Sequence, residues 1–80
     1  GNTVVWKPAA SAMFSAHYLM ELLEAAGLPP GVINLVSGDP AAVSDVALSH
    51  RDLAGVHFTG STSVFNHMWR TIGASVDRYR

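Results

Sequence analysis

The sequence predicts an α/β fold, a βαβαβα segment in which a parallel sheet is flanked by helices. Three observations carry that expectation. Short apolar runs begin near residues 3, 32 and 54, and the intervals between them each leave room for a helix, which is the spacing of βαβ units. None of the runs alternates cleanly between apolar and polar residues, as expected of strands covered on both faces. The segments between and after them carry helical period.

The first run is Thr3-Val4-Val5-Trp6, β-branched and aromatic, closed by Lys7-Pro8. A residue before proline is pushed towards extended geometry, which places Lys7 at the strand end. A helix follows from about Ser11 to Ala26, with Gly27 in the position of a C-cap glycine and Pro29 preventing continuation. On it His17, Glu21 and Glu24 form one narrow stripe, while Met13, Phe14, Leu19, Met20, Leu22 and Leu23 take most of the remaining circumference. So much apolar surface predicts burial on more than one side. The second run, Val32 to Val36, lies between Pro29-Pro30-Gly31 and Ser37-Gly38. Asp39-Pro40 opens a short helix, because aspartate accepts from free amides and proline suits the first helical position; it ends near Ser49-His50. The third run spans Leu53 to Phe58 and ends at Thr59-Gly60. A third helix begins around Ser61-Thr62-Ser63 and places Val64, Phe65, Met68, Trp69, Ile72 and Val76 along one face. No repeat, low-complexity tract or linker interrupts the chain, so one compact unit is expected.

Composition narrows the function. Of 80 residues 49% are hydrophobic and 14% charged, against roughly 25% charged in a typical domain. The net charge of −1 comes from five basic and six acidic residues, and the basic ones (Lys7, Arg51, Arg70, Arg78 and Arg80) are scattered. A nucleic-acid or polybasic membrane partner is excluded, because phosphate binding needs a clustered positive surface. Disorder is disfavoured by the same balance, and no apolar run approaches the ~18–20 residues of a membrane span. Cysteine is absent, which points to a reducing compartment, the cytoplasm, and excludes a cysteine nucleophile or thiolate metal site within these residues. A chain this short buries only a little over ~60% of its unfolded surface, with few charges to cover the rest. Together with the opening Gly1-Asn2 and the closing Arg78-Tyr79-Arg80, this is read as a segment of a larger protein.

In a parallel α/β unit ligands bind beyond the carboxyl ends of the strands. Lys7-Pro8, Ser37-Gly38-Asp39 and Thr59-Gly60-Ser61 stand there. In the last, a glycine followed by Ser-Thr-Ser leads from strand to helix and presents amides, hydroxyls and a positive helix end to an anion such as a pyrophosphate. Taken alone, Ser61 to Ser63 read first as a helix cap and Lys7 first as a strand-end lysine in water, while Gly38 reads either as room for a ligand or as a turn glycine. Neither GxxxxGK[ST] nor GxGxxG is present. The four histidines show no metal-ligand spacing and are expected on helix surfaces or in packing. Glu21 and Glu24 belong to a solvated face rather than an acid/base pair, and Met13, Met20, Phe65 and Trp69 belong to the core.

The three strand ends together resemble the cofactor-binding region of the aldehyde dehydrogenase superfamily. The matching stretches are Gly1 to Pro8 (GNTVVWKP), Glu24 to Val36 (EAAGLPPGVINLV) and Phe58 to Thr62 (FTGST), in that family's order and spacing. Trp6 before Lys7-Pro8 and the run from Phe58 to Trp69 look most like the branch of 1-pyrroline-5-carboxylate dehydrogenases, which oxidise glutamate γ-semialdehyde to glutamate in proline catabolism.

The resemblance implies a Rossmann-like fragment, residues 1–80, of an NAD(P)-binding domain, with NAD as cofactor and NADP as the alternative. It implies that Lys7 contacts the adenosine ribose, that Gly60, Ser61, Thr62, Ser63 and Val64 run past the pyrophosphate and adenine, and that Phe58 and Gly38 line the same groove. It also implies a parent enzyme that is a homo-oligomer, with the nucleophilic cysteine and the glutamate base outside these residues. Many relatives carry a glutamate three residues after the lysine, where this chain has Ala10; this weakens any exclusion of a 2′-phosphate. Many also have glycine where this chain has Phe65. The alternatives are a different aldehyde, or a nucleotide-binding or interaction module that lacks the chemistry.

Overall fold

Strands β1 (Val4–Trp6) and β2 (Ile33–Leu35) pair in parallel in the computed structural model, which describes all of residues 1–80. The register sets Val4 against Ile33, Val5 against Asn34 and Trp6 against Leu35. The ladder is extended at both ends by the amide of Val4 donating to Val32 (2.8 Å) and that of Val36 donating to Trp6 (2.9 Å). Asn34 adds a side-chain staple, its amide nitrogen donating to the carbonyls of Gly31 (3.0 Å) and Val4 (3.2 Å). Parallel strands need a crossover. Here it is a 3₁₀ turn at Ala10–Ala12 followed by helix α1 (Met13–Ala25), which packs on β2.

The end of α1 follows from Gly27. Its φ of 103° lies in the left-handed region, and the amides of Gly27 and Leu28 donate back to Glu24 and Leu23, both at 3.0 Å. That is the paired bonding of a Schellman cap, for which a residue without Cβ is suited. The faces of α1 differ from expectation. Ala16 is buried, and Met13, Met20 and Leu23 on the same stripe are half-buried, but Phe14 is 82% exposed and Leu22 64%. Burial on more than one side is therefore corrected: β2 supplies one covering surface, and a helix on a two-stranded sheet has no second neighbour to bury its outer apolar residues.

The chain forms two compact units, Gly1–Gly38 and Asp39–Arg80, where the sequence predicts one. The second opens with helix α2 (Pro40–Ser49) and contains helix α3 (Thr62–Gly73), which pack on each other. The Asp39 carboxylate accepts from the amide of Ala42 at 2.9 Å and Pro40 occupies the first helical position, as the residue pair predicts. Asp39→Ala should cost α2 about 1 kcal/mol, seen as roughly fivefold faster amide exchange at Ala42 and Val43 in the intact protein.

Between the helices, Leu53 to Phe58 forms no strand. The sheet has two strands, not three, and this corrects the βαβαβα expectation while the α/β class and its parallel pairing stand. The composition of the run is strand-like, but a ladder needs a partner whose carbonyls and amides meet it. Beyond Leu53, which donates to His50, no backbone amide up to Ser61 finds a backbone acceptor. After α3 the chain closes on α2: Tyr79 donates its hydroxyl to the carbonyl of Leu48, and Arg80 pairs with Asp52 at 2.7 Å. No helix is long and apolar enough to cross a membrane.

Candidate functional site

In the first unit Lys7 follows directly on the last residue of β1, as the proline after it predicts. It is half-buried, and its ammonium donates to the carbonyl of Pro8 at 3.2 Å. An ammonium has three donors, so two are left for a ligand, and no carboxylate pairs with it. Gly38 ends the same unit with φ 132° and nothing within 4 Å of the place a Cβ would take. Its glycine is therefore a requirement of the backbone turn, and the space beside it is open.

In the second unit Phe58, Gly60, Ser61, Thr62, Ser63 and Val64 come together as one turn leading into α3. Ser61 is the N-cap: its hydroxyl accepts from the amide of Val64 at 3.3 Å and lies 3.2 Å from the Ser63 hydroxyl. The amides of Thr62 and Ser63 donate to no group in the chain, as the first turn of a helix dictates. With the helix dipole behind them these two donors and the exposed hydroxyls of Thr62 and Ser63 make a surface suited to a phosphate oxygen. The cap reading of Ser61 to Ser63 is what the hydrogen bonds show, and a cap that uses one amide leaves the two before it without a partner in the chain. A recess beside this turn is lined by Phe58, Thr59, Gly60, Thr62 and Phe65.

Thr59, which lies inside the FTGST stretch, and Phe65, which no motif marks as a site residue, also line that recess. Their signal is position, one inside the turn and the other one helical turn after Ser61. On the other side of Phe58 runs an open apolar groove between Val56–Phe58 and the face of α3 that carries Phe65, Met68, Trp69 and Ile72. The helical period predicts Phe65, Met68, Trp69 and Ile72 on that face, but Val76 lies beyond the end of α3, and the expected core positions Phe65 and Trp69 are 45% and 70% exposed.

The groups outside these turns have other occupations. His17 pairs with Glu21 at 3.1 Å on the exposed stripe of α1. His50 accepts the amide of Asp52 through Nδ1 at 3.2 Å. No three residues of the metal-ligating types gather anywhere.

Comparison with known proteins adds the following. The family described as the aldehyde dehydrogenase family matches residues 1–79. The mitochondrial Delta-1-pyrroline-5-carboxylate dehydrogenase of Mus musculus is 40% identical over 80 residues, all of this chain and 14% of that protein. The Delta-1-pyrroline-5-carboxylate dehydrogenase of Agaricus bisporus is 41% identical over the same length and share. A crystal structure of the Delta-pyrroline-5-carboxylate dehydrogenase from Mycobacterium tuberculosis bound with NAD superposes with a TM-score of 0.95 at 60% identity, covering all of this chain and 15% of that one. The chain thus spans about one seventh of the length of the proteins it matches.

Proposed function

Because the chain belongs to the aldehyde dehydrogenase family, we propose that it is the cofactor-binding segment of an NAD-dependent enzyme that oxidises glutamate γ-semialdehyde, the open form of 1-pyrroline-5-carboxylate, to glutamate. The observation that carries this is the likeness, at 60% identity over every residue, to a Delta-pyrroline-5-carboxylate dehydrogenase whose crystal structure is bound with NAD. The turn into α3 fits the cofactor: free amides of Thr62 and Ser63 and the hydroxyls beside them suit a pyrophosphate, and Lys7 has donors to spare for ribose hydroxyls.

When bound, the dinucleotide accepts the hydride of the aldehyde carbon. Within these residues Lys7 holds, Ser61 organises the helix end, Thr62 and Ser63 donate, and Gly38 and Phe58, each in its own unit, border the nucleotide. The thiolate that attacks the aldehyde, and the carboxylate that activates water for hydrolysis of the thioester, come from residues of the parent outside this segment. In that parent Leu53–Phe58 becomes the third strand of the sheet once a neighbouring strand meets it; its apolar residues Leu53, Val56 and Phe58 support this.

Purified parent enzyme is expected to reduce NAD on addition of glutamate γ-semialdehyde, with one hydride transferred per aldehyde oxidised to acid. Turnover with short unbranched aldehydes but not with the semialdehyde would keep the family and remove the substrate. A saturable nucleotide signal without turnover of any aldehyde would leave a binding module instead.

A further inference from the structure

Gly60 has no left-handed backbone angle, so conformation alone does not require a glycine there. Space does. A Cβ built on Gly60 would stand 2.5 Å from Cζ of Phe58 and 3.2 Å from each of its two Cε carbons. The outer edge of the Phe58 ring is therefore seated on the bare α-carbon two residues later, and Phe58 is half-buried in that position. Its ring borders the recess of the turn on one side and the apolar groove on the other, with Phe65 common to both.

We infer that Phe58 is a positioning residue for the anion-binding turn: its ring, packed on Gly60, sets the path of Thr59–Ser61 and so the direction in which the Thr62 and Ser63 amides point. This rests on the cofactor reading above and adds to it the reason for the glycine, which is room for a side chain of the protein rather than room for the ligand.

The test is a double-mutant cycle in the full-length enzyme. Phe58→Leu deletes the ring atoms that face Gly60 and keeps the branched stem, while Gly60→Ala adds a methyl where the ring now stands, so that the ring must move. The readouts are the NAD dissociation constant by calorimetry without aldehyde, and the Tm of the ligand-free enzyme. Coupled neighbours give factors well above additivity: Gly60→Ala is expected to weaken NAD about tenfold in the natural background and less than about twofold in the Phe58→Leu background. The Tm lost to Gly60→Ala should likewise return when Phe58→Leu is added.

An equal weakening on both backgrounds overturns the inference, since Gly60 is then bare for the ligand's own approach. Coupling in Tm without coupling in NAD affinity reduces the contact to packing and also overturns it. A natural enzyme that binds no NAD removes the cofactor reading itself, and the positioning role with it; binding with equal factors removes the positioning role alone.

Discussion

Expressed by itself, the 80-residue chain is expected to give a collapsed two-dimensional amide spectrum that does not respond to NAD. Its buried hydrophobic side chains are Ala16 and Leu48, whereas Phe14, Val46 and Trp69 are 82%, 72% and 70% exposed. Ordering a residue costs about 1–2 kcal/mol of backbone entropy, and burial of a large apolar side chain offsets that by about 1.5–3 kcal/mol only where the side chain leaves water. Helices of 13, 10 and 12 residues are also marginal alone, since isolated helices shorter than about 12–15 residues hold poorly in water. The two-stranded sheet adds little independent stability. A dispersed spectrum with NAD-dependent shifts confined to Lys7 and Gly60–Val64 would defeat this expectation and establish an autonomous cofactor module.

The second large effect concerns Lys7. In the full-length enzyme Lys7→Ala should raise the KM for NAD by roughly 10–100-fold, the factor that corresponds to losing one charge-assisted hydrogen bond of about 1.5–3 kcal/mol. The kcat should change far less, because a contact to ribose binds ground state and transition state alike. Lys7→Met, which keeps the half-buried stem and removes the charge, separates packing from donation. It should behave like Lys7→Ala if the ammonium is what matters. An unchanged KM in both variants takes Lys7 out of the site and leaves it bonded only to the carbonyl of Pro8.

The candidate site was legible in parts, and the parts differ by range. Ser61 as a cap and the free amides after it follow from a serine three residues before the amide it receives, a contact within one turn. Gly38 was readable as a turn glycine or as room for a ligand, and its φ of 132° shows the turn. For Gly60 no left-handed angle stands behind the glycine, and the Phe58 ring occupies the place a Cβ would take. Spacing marks both residues, but only coordinates show that the ring folds onto the α-carbon. The proposal that Lys7 and the turn into α3 serve one cofactor comes from the family likeness alone.

Alone, the sequence determined the end of α1, the starts of α2 and α3, and the parallel pair. Gly27, Asp39-Pro40 and Ser61 act on amides and carbonyls a few residues away, so their effect is written into the order of residues. The tertiary structure alone decided which apolar surfaces find a cover and which strand-like run becomes a strand. Leu53–Phe58 has the composition of a strand and no ladder, and Phe14 has the composition of a core residue and stands in the open. A cap is completed by the chain's own neighbouring residues. A strand or a core face is completed only by a second surface, and its place is not encoded in the segment that needs it.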